Sequence, residues 1–164
     1  MTCERRFCYL EMNKISEKAR ILIVDDDKSI LSSLSAILRR EGYIIDEAET
    51  GSEAVEKTKA NFYNLTLMDF RLPDIEGTQL LTQIKDTVPK MRKVIMTGYP
   101  TLSNAVESVN FGADAYVMKP FILGELLEKI KEQLRKQAEE RDYSQAKVAE
   151  FIKNRCAQLE SDEK

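Results

Sequence analysis

Histidine is absent from this 164-residue sequence, and its absence excludes several classes of site. The chain cannot form a Ser-His-Asp or Cys-His catalytic centre, a histidine zinc site or a haem site with a histidine ligand. It also cannot carry a phosphoryl group on histidine. If the protein takes part in phosphoryl transfer from a histidine, that histidine belongs to a partner.

Long apolar segments are missing as well. No stretch approaches the roughly 18 residues that a membrane helix needs, and the N-terminus lacks the apolar core of a signal peptide. The cysteines, Cys3, Cys8 and Cys156, match no zinc-binding spacing, so we interpret them as free thiols in a reducing compartment. We therefore expect a cytoplasmic protein without a membrane segment.

A basic surface is not indicated either. The chain has 25 Lys and Arg against 28 Asp and Glu, a formal net charge of −3. Proteins that bind nucleic acids usually carry clustered basic residues, so the composition does not favour that class. Apolar residues make up 43% of the chain, and its length suffices for one domain with a core and a shorter additional segment.

The sequence does contain a regular alternation of short apolar segments and amphipathic segments. Strands this apolar are usually buried on both faces, as in a parallel sheet covered by helices. The pattern predicts an α/β fold, a (βα)5 open three-layer sandwich. The predicted strands are 21–24, 43–45, 65–68, 94–96 and 115–118, and an amphipathic helix is expected after each one, the last starting near Ile122.

Polar side chains directly follow four of these strands. In chain order they are Asp25, Asp26 and Asp27, then Asp69, Thr97 and Lys119. In parallel α/β sheets the ligand binds at the carboxyl ends of the strands, so we expect these side chains to converge there.

The chemistry of this set points to a metal ion and to phosphoryl transfer. Carboxylates about 4 Å apart repel by roughly 4 kcal/mol per pair at an effective dielectric near 20, so the cluster requires a cation or raised pKa values. Mg²⁺ prefers such oxygen ligands and also binds phosphate oxygens. An aspartate can attack phosphorus to form an acyl phosphate, while a lysine and a hydroxyl stabilise the other phosphoryl oxygens.

Four motifs carry a family resemblance. The segments Ile21–Asp27, Leu67–Gly77, Met96–Gly98 and Tyr116–Phe121 resemble the receiver domains of two-component response regulators. The resemblance covers residues 19–137, and four motifs in the right order are far more specific than any one alone. It implies a five-stranded parallel sheet in the order 2-1-3-4-5, the flavodoxin-like arrangement.

The resemblance also implies roles for individual residues. Asp69 matches the phosphoacceptor, and Asp25 and Asp26 match the acidic pair that holds Mg²⁺. Asp26 is expected to be the direct ligand of that pair, with Asp25 acting largely through water. Asp69 and the backbone carbonyl of Arg71 complete the expected metal ligands.

The remaining roles concern catalysis and switching. Thr97 and Lys119 match the hydroxyl and the amine that act with Asp69, and the Lys119–Pro120 bond is typically cis in this family. Thr97 and Tyr116 match the residues that report phosphorylation, and the alternative for Tyr116 is a core position. Asp27 is expected to cap the first helix.

Two large residues depart from what is common beside the phosphoryl group in this family. Arg71 and Tyr99 occupy positions that, by resemblance, tune how long the phosphoryl group survives. Our hypothesis is that Tyr99 restricts the attacking water.

The domain boundaries are expected at 1–18 for a flexible leader, 19–137 for the receiver domain and 138–164 for a helical C-terminal extension or linker. The apolar stripe thins at Arg141, and the capping spacing of Asp142 and Gln145 offers a place where a second helix could start. Val148, Phe151, Ile152 and Leu159 then form a second stripe. This extension is either a docking or coiled-coil helix or a frayed linker, and it is too short for a helix-turn-helix domain, so no direct DNA binding is expected.

The functional hypothesis is a receiver that takes a phosphoryl group onto Asp69 from a sensor histidine kinase or phosphotransfer protein, with Mg²⁺ as cofactor. It then signals to a downstream protein partner, without enzymatic activity beyond its own phosphorylation and slow dephosphorylation. The candidate homodimer surfaces are the face of helix 4, strand 5 and helix 5, and the C-terminal helix. The alternative is a non-phosphorylated pseudo-receiver scaffold that assembles through the C-terminal helix.

Overall fold

The computed structural model describes residues 19–162, and the side chains through Arg155. The expected flexible leader, 1–18, lies outside the described residues. The same holds for Cys3, Cys8 and the side chain of Cys156.

Five strands and five helices alternate along the described chain. The strands are β1 (Arg20–Val24), β2 (Ile44–Ala48), β3 (Leu65–Asp69), β4 (Arg92–Thr97) and β5 (Ala115–Met118). The helices are α1 (Lys28–Arg40), α2 (Gly51–Ala60), α3 (Gly77–Gln83), α4 (Leu102–Asn110) and α5 (Leu123–Asp162). The predicted alternation is confirmed.

The strands form one parallel sheet in the order β2-β1-β3-β4-β5. This is the flavodoxin-like order that the family resemblance implied. In the register, Val24 lies opposite Met68 and Asp69 lies opposite Met96. The carboxyl ends of the central strands therefore meet at one edge of the sheet.

Alternating side chains of the central strands supply two separate cores. Ile21 and Ile23 of β1 point to the face covered by α1 and α5, and Leu22 and Val24 point to the face covered by α2 and α3. Each of these four side chains is fully buried. Burial on both faces is why β1 is apolar from Ile21 to Val24, directly before the polar residues at the edge of the sheet.

Local capping places the first two helices. Asp27 caps α1, because its carboxylate accepts hydrogen bonds from the backbone N–H of Ser29 (2.8 Å) and Ile30 (3.3 Å). Thr50 caps α2 by accepting from the N–H of Glu53 at 3.1 Å. The predicted role of Asp27 as a helix cap is thus confirmed.

Helix α5 is continuous over 40 residues, so the expectation of a new helix at Asp142 is wrong. The connecting residues Ala138–Arg141 all have high helix propensity, and nothing in that stretch terminates a helix. Leu126, Ile130 and Leu134 are buried against the sheet. From 139 to 155 every described side chain is exposed.

No described helix is both long enough and apolar enough to span a membrane.

Polar contacts fasten α5 where it leaves the sheet. The amide of Gln137 donates to the backbone carbonyls of Asn64 (3.0 Å) and Lys90 (2.7 Å), at the starts of β3 and β4. One turn further on, Glu140 forms an ion pair with Arg92 at 2.7 Å. The end of the packed half of α5 is therefore fixed at the amino-terminal edge of the sheet.

The two halves of α5 are expected to differ in their contribution to stability. Ile130→Ala should lower the free energy of unfolding by about 2–5 kcal/mol, because it leaves a cavity in the core. Ile152→Ala on the exposed half should change it by less than about 0.5 kcal/mol. Urea denaturation of both variants measures the difference. A comparable loss in Ile152→Ala would show that the second half of α5 is also packed.

Candidate functional site

The carboxyl-terminal edge of the sheet carries a cavity of about 330 Å³. The cavity brings together all the residues predicted for catalysis and metal binding: Asp25, Asp26, Asp69, Arg71, Thr97 and Lys119. They come from the ends of four strands, β1, β3, β4 and β5, because the parallel sheet brings these ends to a common edge.

Three carboxylates form the acidic part of the cavity. Asp25 is fully buried, Asp69 is partly buried and Asp26 is exposed. Each offers an oxygen within 4.8 Å of the others. Ligands on opposite sides of Mg²⁺ lie about 4.2 Å apart, and the ion usually keeps several waters. The spacing and the all-oxygen chemistry of this set therefore fit a partly hydrated Mg²⁺.

Asp25 already has protein partners for both oxygens. One accepts from the N–H of Asp27 at 2.9 Å, and the other accepts from the ammonium of Lys119 at 2.6 Å. Asp26, by contrast, is exposed at the mouth of the cavity. That Asp26 is the more direct ligand and that Asp25 acts largely through water stays a prediction.

Asp69 lies where charge is most crowded. Burial raises the pKa of its carboxyl, and the negative charge of Asp25 raises this pKa further. The ammonium of Lys119, which lies 3.4 Å from the carboxylate, lowers the pKa and so opposes both effects. A carboxylate whose ionised form is disfavoured gains from a cation beside it. The electrostatics of Asp69 thus favour both metal binding and the loss of its negative charge.

Thr97 and Lys119 are held by the backbone around them. The Thr97 side chain is buried, and its hydroxyl oxygen accepts from the N–H of Tyr99 at 3.1 Å. The N–H of Lys119 donates to the carbonyl of Thr97 at 2.6 Å, which joins the ends of β4 and β5. The Lys119–Pro120 bond is cis, as the resemblance implied.

Arg71 and Tyr99 meet at the mouth of the cavity. The guanidinium carbon of Arg71 lies 4.3 Å from the centroid of the Tyr99 ring, within range of a cation–π interaction. The sequence indicated that both residues flank the site. It did not indicate that they contact each other, because their loops are separate in the chain.

Tyr116 does not line the cavity. Its ring packs against the core that covers the α2 and α3 face, and its buried hydroxyl has no hydrogen-bond partner among the described residues. A buried hydroxyl without a partner costs roughly 1–3 kcal/mol. The Tyr116 ring therefore packs against the core at the cost of an unpaired hydroxyl among the described residues. Its role as a switch stays a prediction.

The loop between β3 and α3 turns back sharply behind Asp69. The N–H of Gly77 donates to the carbonyl of Phe70 at 2.7 Å, and the backbones of Arg71 and Glu76 form an isolated antiparallel β-bridge. A β-carbon at Gly77 would lie 2.7 Å from the carbonyl oxygen of Asp69, so this close approach requires glycine. The loop thus holds Arg71 directly beside the acidic cluster.

Asp74 in this loop was given no role by the sequence analysis. Its carboxylate accepts hydrogen bonds from the N–H of Gly51 (2.9 Å), the N–H of Ser52 (2.8 Å) and the hydroxyl of Ser52 (2.8 Å). These residues are more than 20 positions away in the chain. No local pattern reveals a contact of that separation.

Comparison with known protein families gives one clear match. Residues 21–131 match the model of the family described as the response regulator receiver domain. Among curated proteins, the transcriptional regulatory protein BasR of Escherichia coli (strain K12) is 35% identical over 117 residues, 71% of this chain. The chain spans 53% of the length of that relative.

Solved structures agree with this match. A CheY-like response regulator receiver domain protein from Methanospirillum hungatei JF-1 is 51% identical, with a TM-score of 0.71 over 74% of this chain and 98% of the other. The beryllofluoride-activated NtrC4 receiver domain, solved as a dimer, is 37% identical, with a TM-score of 0.68 over 72% of this chain and 98% of that chain.

The raised pKa of Asp69 gives a test without magnesium. The native state binds a proton at Asp69 more readily than the unfolded state, whose pKa is near 3.8. Between that pH and the raised pKa, stability falls as pH rises, so at pH 7 ionised Asp69 opposes folding. Asp69→Asn should therefore raise the Tm at pH 7 in chelator-treated buffer, and the gain should shrink towards pH 4.

Asp142→Asn, which removes an exposed carboxylate on α5, is the control and should leave the Tm unchanged over the same pH range. Added Mg²⁺ should raise the Tm of the wild-type protein more than that of Asp69→Asn, because binding to the native state stabilises it. A lower Tm for Asp69→Asn at pH 7 without metal would contradict the electrostatic account.

Proposed function

The chain belongs to the response regulator receiver domain family, and on that basis we propose that it accepts a phosphoryl group on Asp69 in a Mg²⁺-dependent reaction and signals to a protein partner. The single observation that carries the proposal is the convergence of Asp69 with two further carboxylates and Lys119 in one cavity. Receiver domains are signalling domains, and the proposed chemistry is confined to Asp69.

The phosphoryl donor is proposed to be a phosphohistidine on a sensor histidine kinase or phosphotransfer protein, since the chain has no histidine of its own. A carboxylate oxygen of Asp69 attacks phosphorus, and the P–N bond of the donor breaks with its electron pair staying on the ring nitrogen. The imidazole leaves as a neutral group when the other ring nitrogen of the phosphohistidine carries a proton. The product is an aspartyl phosphate. Its hydrolysis by water returns Asp69 and releases inorganic phosphate.

Mg²⁺, held by Asp26, Asp69, the Arg71 carbonyl and, through water, Asp25, would withdraw charge from the phosphoryl oxygens. Lys119 is the group on this chain that neutralises a further oxygen, and it already contacts Asp25 and Asp69. The Thr97 hydroxyl donates to a third oxygen after it turns towards the phosphoryl group. These roles for individual side chains are part of the proposal.

The proposed output begins at Thr97 and Tyr116. Movement of Thr97 towards the phosphoryl group leaves room beside β5 for the Tyr116 ring. In the described part of the chain, the hydroxyl of this ring has no hydrogen-bond partner. The adjoining face of α4, β5 and the start of α5 exposes apolar side chains, which include Val106, Met118 and Ile122. We propose this face as the surface for a downstream partner or a second copy, and the dimeric state of the NtrC4 receiver supports the latter.

The proposed organisation is a receiver domain at 19–137 followed by a helical extension at 138–164. The exposed stripe of the extension, Val148, Phe151 and Ile152, is the feature that favours the alternative of a scaffold assembling through this helix. Within these residues we propose output through protein contacts rather than direct DNA binding, in the cytoplasm.

Phosphorylation of Asp69 is tested by incubation with a small-molecule phosphodonor and Mg²⁺, followed by intact-mass measurement. The wild-type protein should gain one phosphoryl adduct that requires Mg²⁺, and Asp69→Asn should gain none. Asp86→Asn, which removes a carboxylate whose side chain is 82% exposed, is the matched control and should behave as wild type. An unmodified wild-type protein would favour the scaffold alternative.

The Arg71–Tyr99 contact should prolong the lifetime of the phosphoryl group. Tyr99→Ala removes the ring that covers the cavity mouth, so water should reach the phosphoryl group more easily. We expect dephosphorylation to accelerate by about two- to fivefold, the rate equivalent of the 0.5–1 kcal/mol of an exposed cation–π contact. Loss of phosphate from the purified phosphoprotein measures the rate.

Tyr143→Ala is the control for this experiment. Tyr143 also forms a cation–π contact, with Lys147 at 4.8 Å, but lies on the exposed half of α5. Its removal should leave dephosphorylation unchanged. Equal rates in Tyr99→Ala and wild type would refute the shielding role of Tyr99.

A further inference from the structure

Asp74 joins the β3–α3 loop to the first turn of α2. Its two carboxylate oxygens bind the first turn of α2 through the N–H of Gly51, the N–H of Ser52 and the hydroxyl of Ser52. Next to it, Ile75 lies against Gly51 so closely that a β-carbon at Gly51 would overlap the Ile75 side chain. The tip of the β3–α3 loop is therefore fastened to α2 by polar and apolar contacts together.

The cap on α2 is shared between a local and a distant residue. Thr50 accepts from the N–H of Glu53, the third helical residue, and Asp74 accepts from the first two. These donors have no partner inside the helix. A carboxylate at this end also interacts favourably with the helix dipole. The attachment thus stabilises the start of α2 and the tip of the loop at once.

The same loop carries the backbone carbonyl of Arg71, a proposed Mg²⁺ ligand. Two backbone hydrogen bonds close the neck of the loop: the N–H of Gly77 donates to the carbonyl of Phe70 at 2.7 Å, and the N–H of Leu72 donates to the carbonyl of Ile75 at 3.3 Å. The tip is held against α2 by the contacts of Asp74 and Ile75. With both neck and tip held, the direction of the Arg71 carbonyl has little freedom.

We propose that Asp74 is a positioning residue for the metal site, which fixes the Arg71 carbonyl by fastening the β3–α3 loop to the first turn of α2. This inference rests on the proposed function. Mg²⁺ demands near-ideal octahedral geometry, so its affinity falls when one ligand is displaced. Removal of groups that orient metal ligands typically lowers metal affinity 10- to 100-fold.

The test is the affinity of the unphosphorylated full chain for Mg²⁺, measured by isothermal titration calorimetry. Asp74→Ala should raise the Kd for Mg²⁺ by roughly tenfold, the lower end of the range for groups that orient metal ligands. Ser52→Ala removes one of the three hydrogen bonds to Asp74 and should raise the Kd by a smaller factor. It carries the same test should Asp74→Ala fail to fold, as judged by circular dichroism.

Thr50→Ala is the matched control. It removes a capping hydrogen bond from the same helix end, so it should lower the Tm as Asp74→Ala does, but it leaves the attachment of the loop intact. Its Kd for Mg²⁺ should equal that of wild type. The rate of phosphorylation by a small phosphodonor gives a second readout: in Asp74→Ala the Mg²⁺ concentration for half-maximal rate should rise, while the rate at saturating Mg²⁺ stays within about twofold.

Three results would overturn the inference, and they can be distinguished from one another. If folded Asp74→Ala and Ser52→Ala bind Mg²⁺ as wild type does, Asp74 only stabilises α2, and the proposed function stands. If wild type itself binds no Mg²⁺ and gains no phosphoryl adduct, the proposed function fails and this inference fails with it. Equal losses of affinity in Thr50→Ala and Asp74→Ala would also overturn it, because a general effect of α2 stability would then explain both.

Discussion

Repulsion among three carboxylates at one edge of the sheet is the constraint on which the site depends. Asp25, Asp26 and Asp69 offer oxygens within 4.8 Å of one another, and Asp25 has no contact with solvent. Lys119 is the cation within the cluster, at 2.6 Å from Asp25 and 3.4 Å from Asp69. The three carboxylates and Lys119 together leave a formal charge of −2, which a divalent cation would neutralise. The fold thus creates a site whose charge favours a divalent cation.

The apolar strands supply the free energy of folding that offsets the cost of this cluster of carboxylates. Buried carboxylates disfavour folding unless they are paired, so the remainder of the sheet must supply the opposing free energy. The central strands do so by burying side chains on both faces, with Ile21 and Ile23 on one side and Leu22 and Val24 on the other. The parallel register then brings the polar groups at the ends of β1, β3, β4 and β5 to one edge of the sheet. Because apolar strands are followed by polar residues, the sequence alone predicts both the strands and the position of the site.

The parts that sequence could predict are those that depend on local order in the chain. Strand and helix alternation follows from periodicity, and Asp27 as a cap follows from its position before α1. The convergence of Asp25, Asp69 and Lys119 follows from the rule that parallel strands share their carboxyl edge. The strand order came from the family resemblance, since apolar patterns do not specify which strands are neighbours.

Other features depend on contacts between distant segments, and sequence analysis missed them for that reason. Asp74 caps a helix that precedes it by more than 20 residues, and the ring of Tyr99 meets Arg71 from another loop. The error at Asp142 has a different cause. A capping pattern was given more weight than the high helix propensity of the preceding residues, and propensity prevailed, since nothing in Ala138–Arg141 breaks the helix.

Helix α5 joins the site to the opposite edge of the sheet. It starts four residues after Lys119, and Phe121 between them packs against the core. At the other edge, Gln137 and Glu140 tie the helix to the starts of β3 and β4. To slide along the sheet, α5 would have to break these hydrogen bonds and the Arg92 ion pair. A displacement of Lys119 or β5 is more easily accommodated by a small tilt of α5 about the point where Gln137 and Glu140 hold it. Because the exposed half of α5 continues the same helix, such a tilt would move Val148 and Ile152 with it. The contacts at Gln137 and Glu140 therefore set the point about which such a tilt would turn.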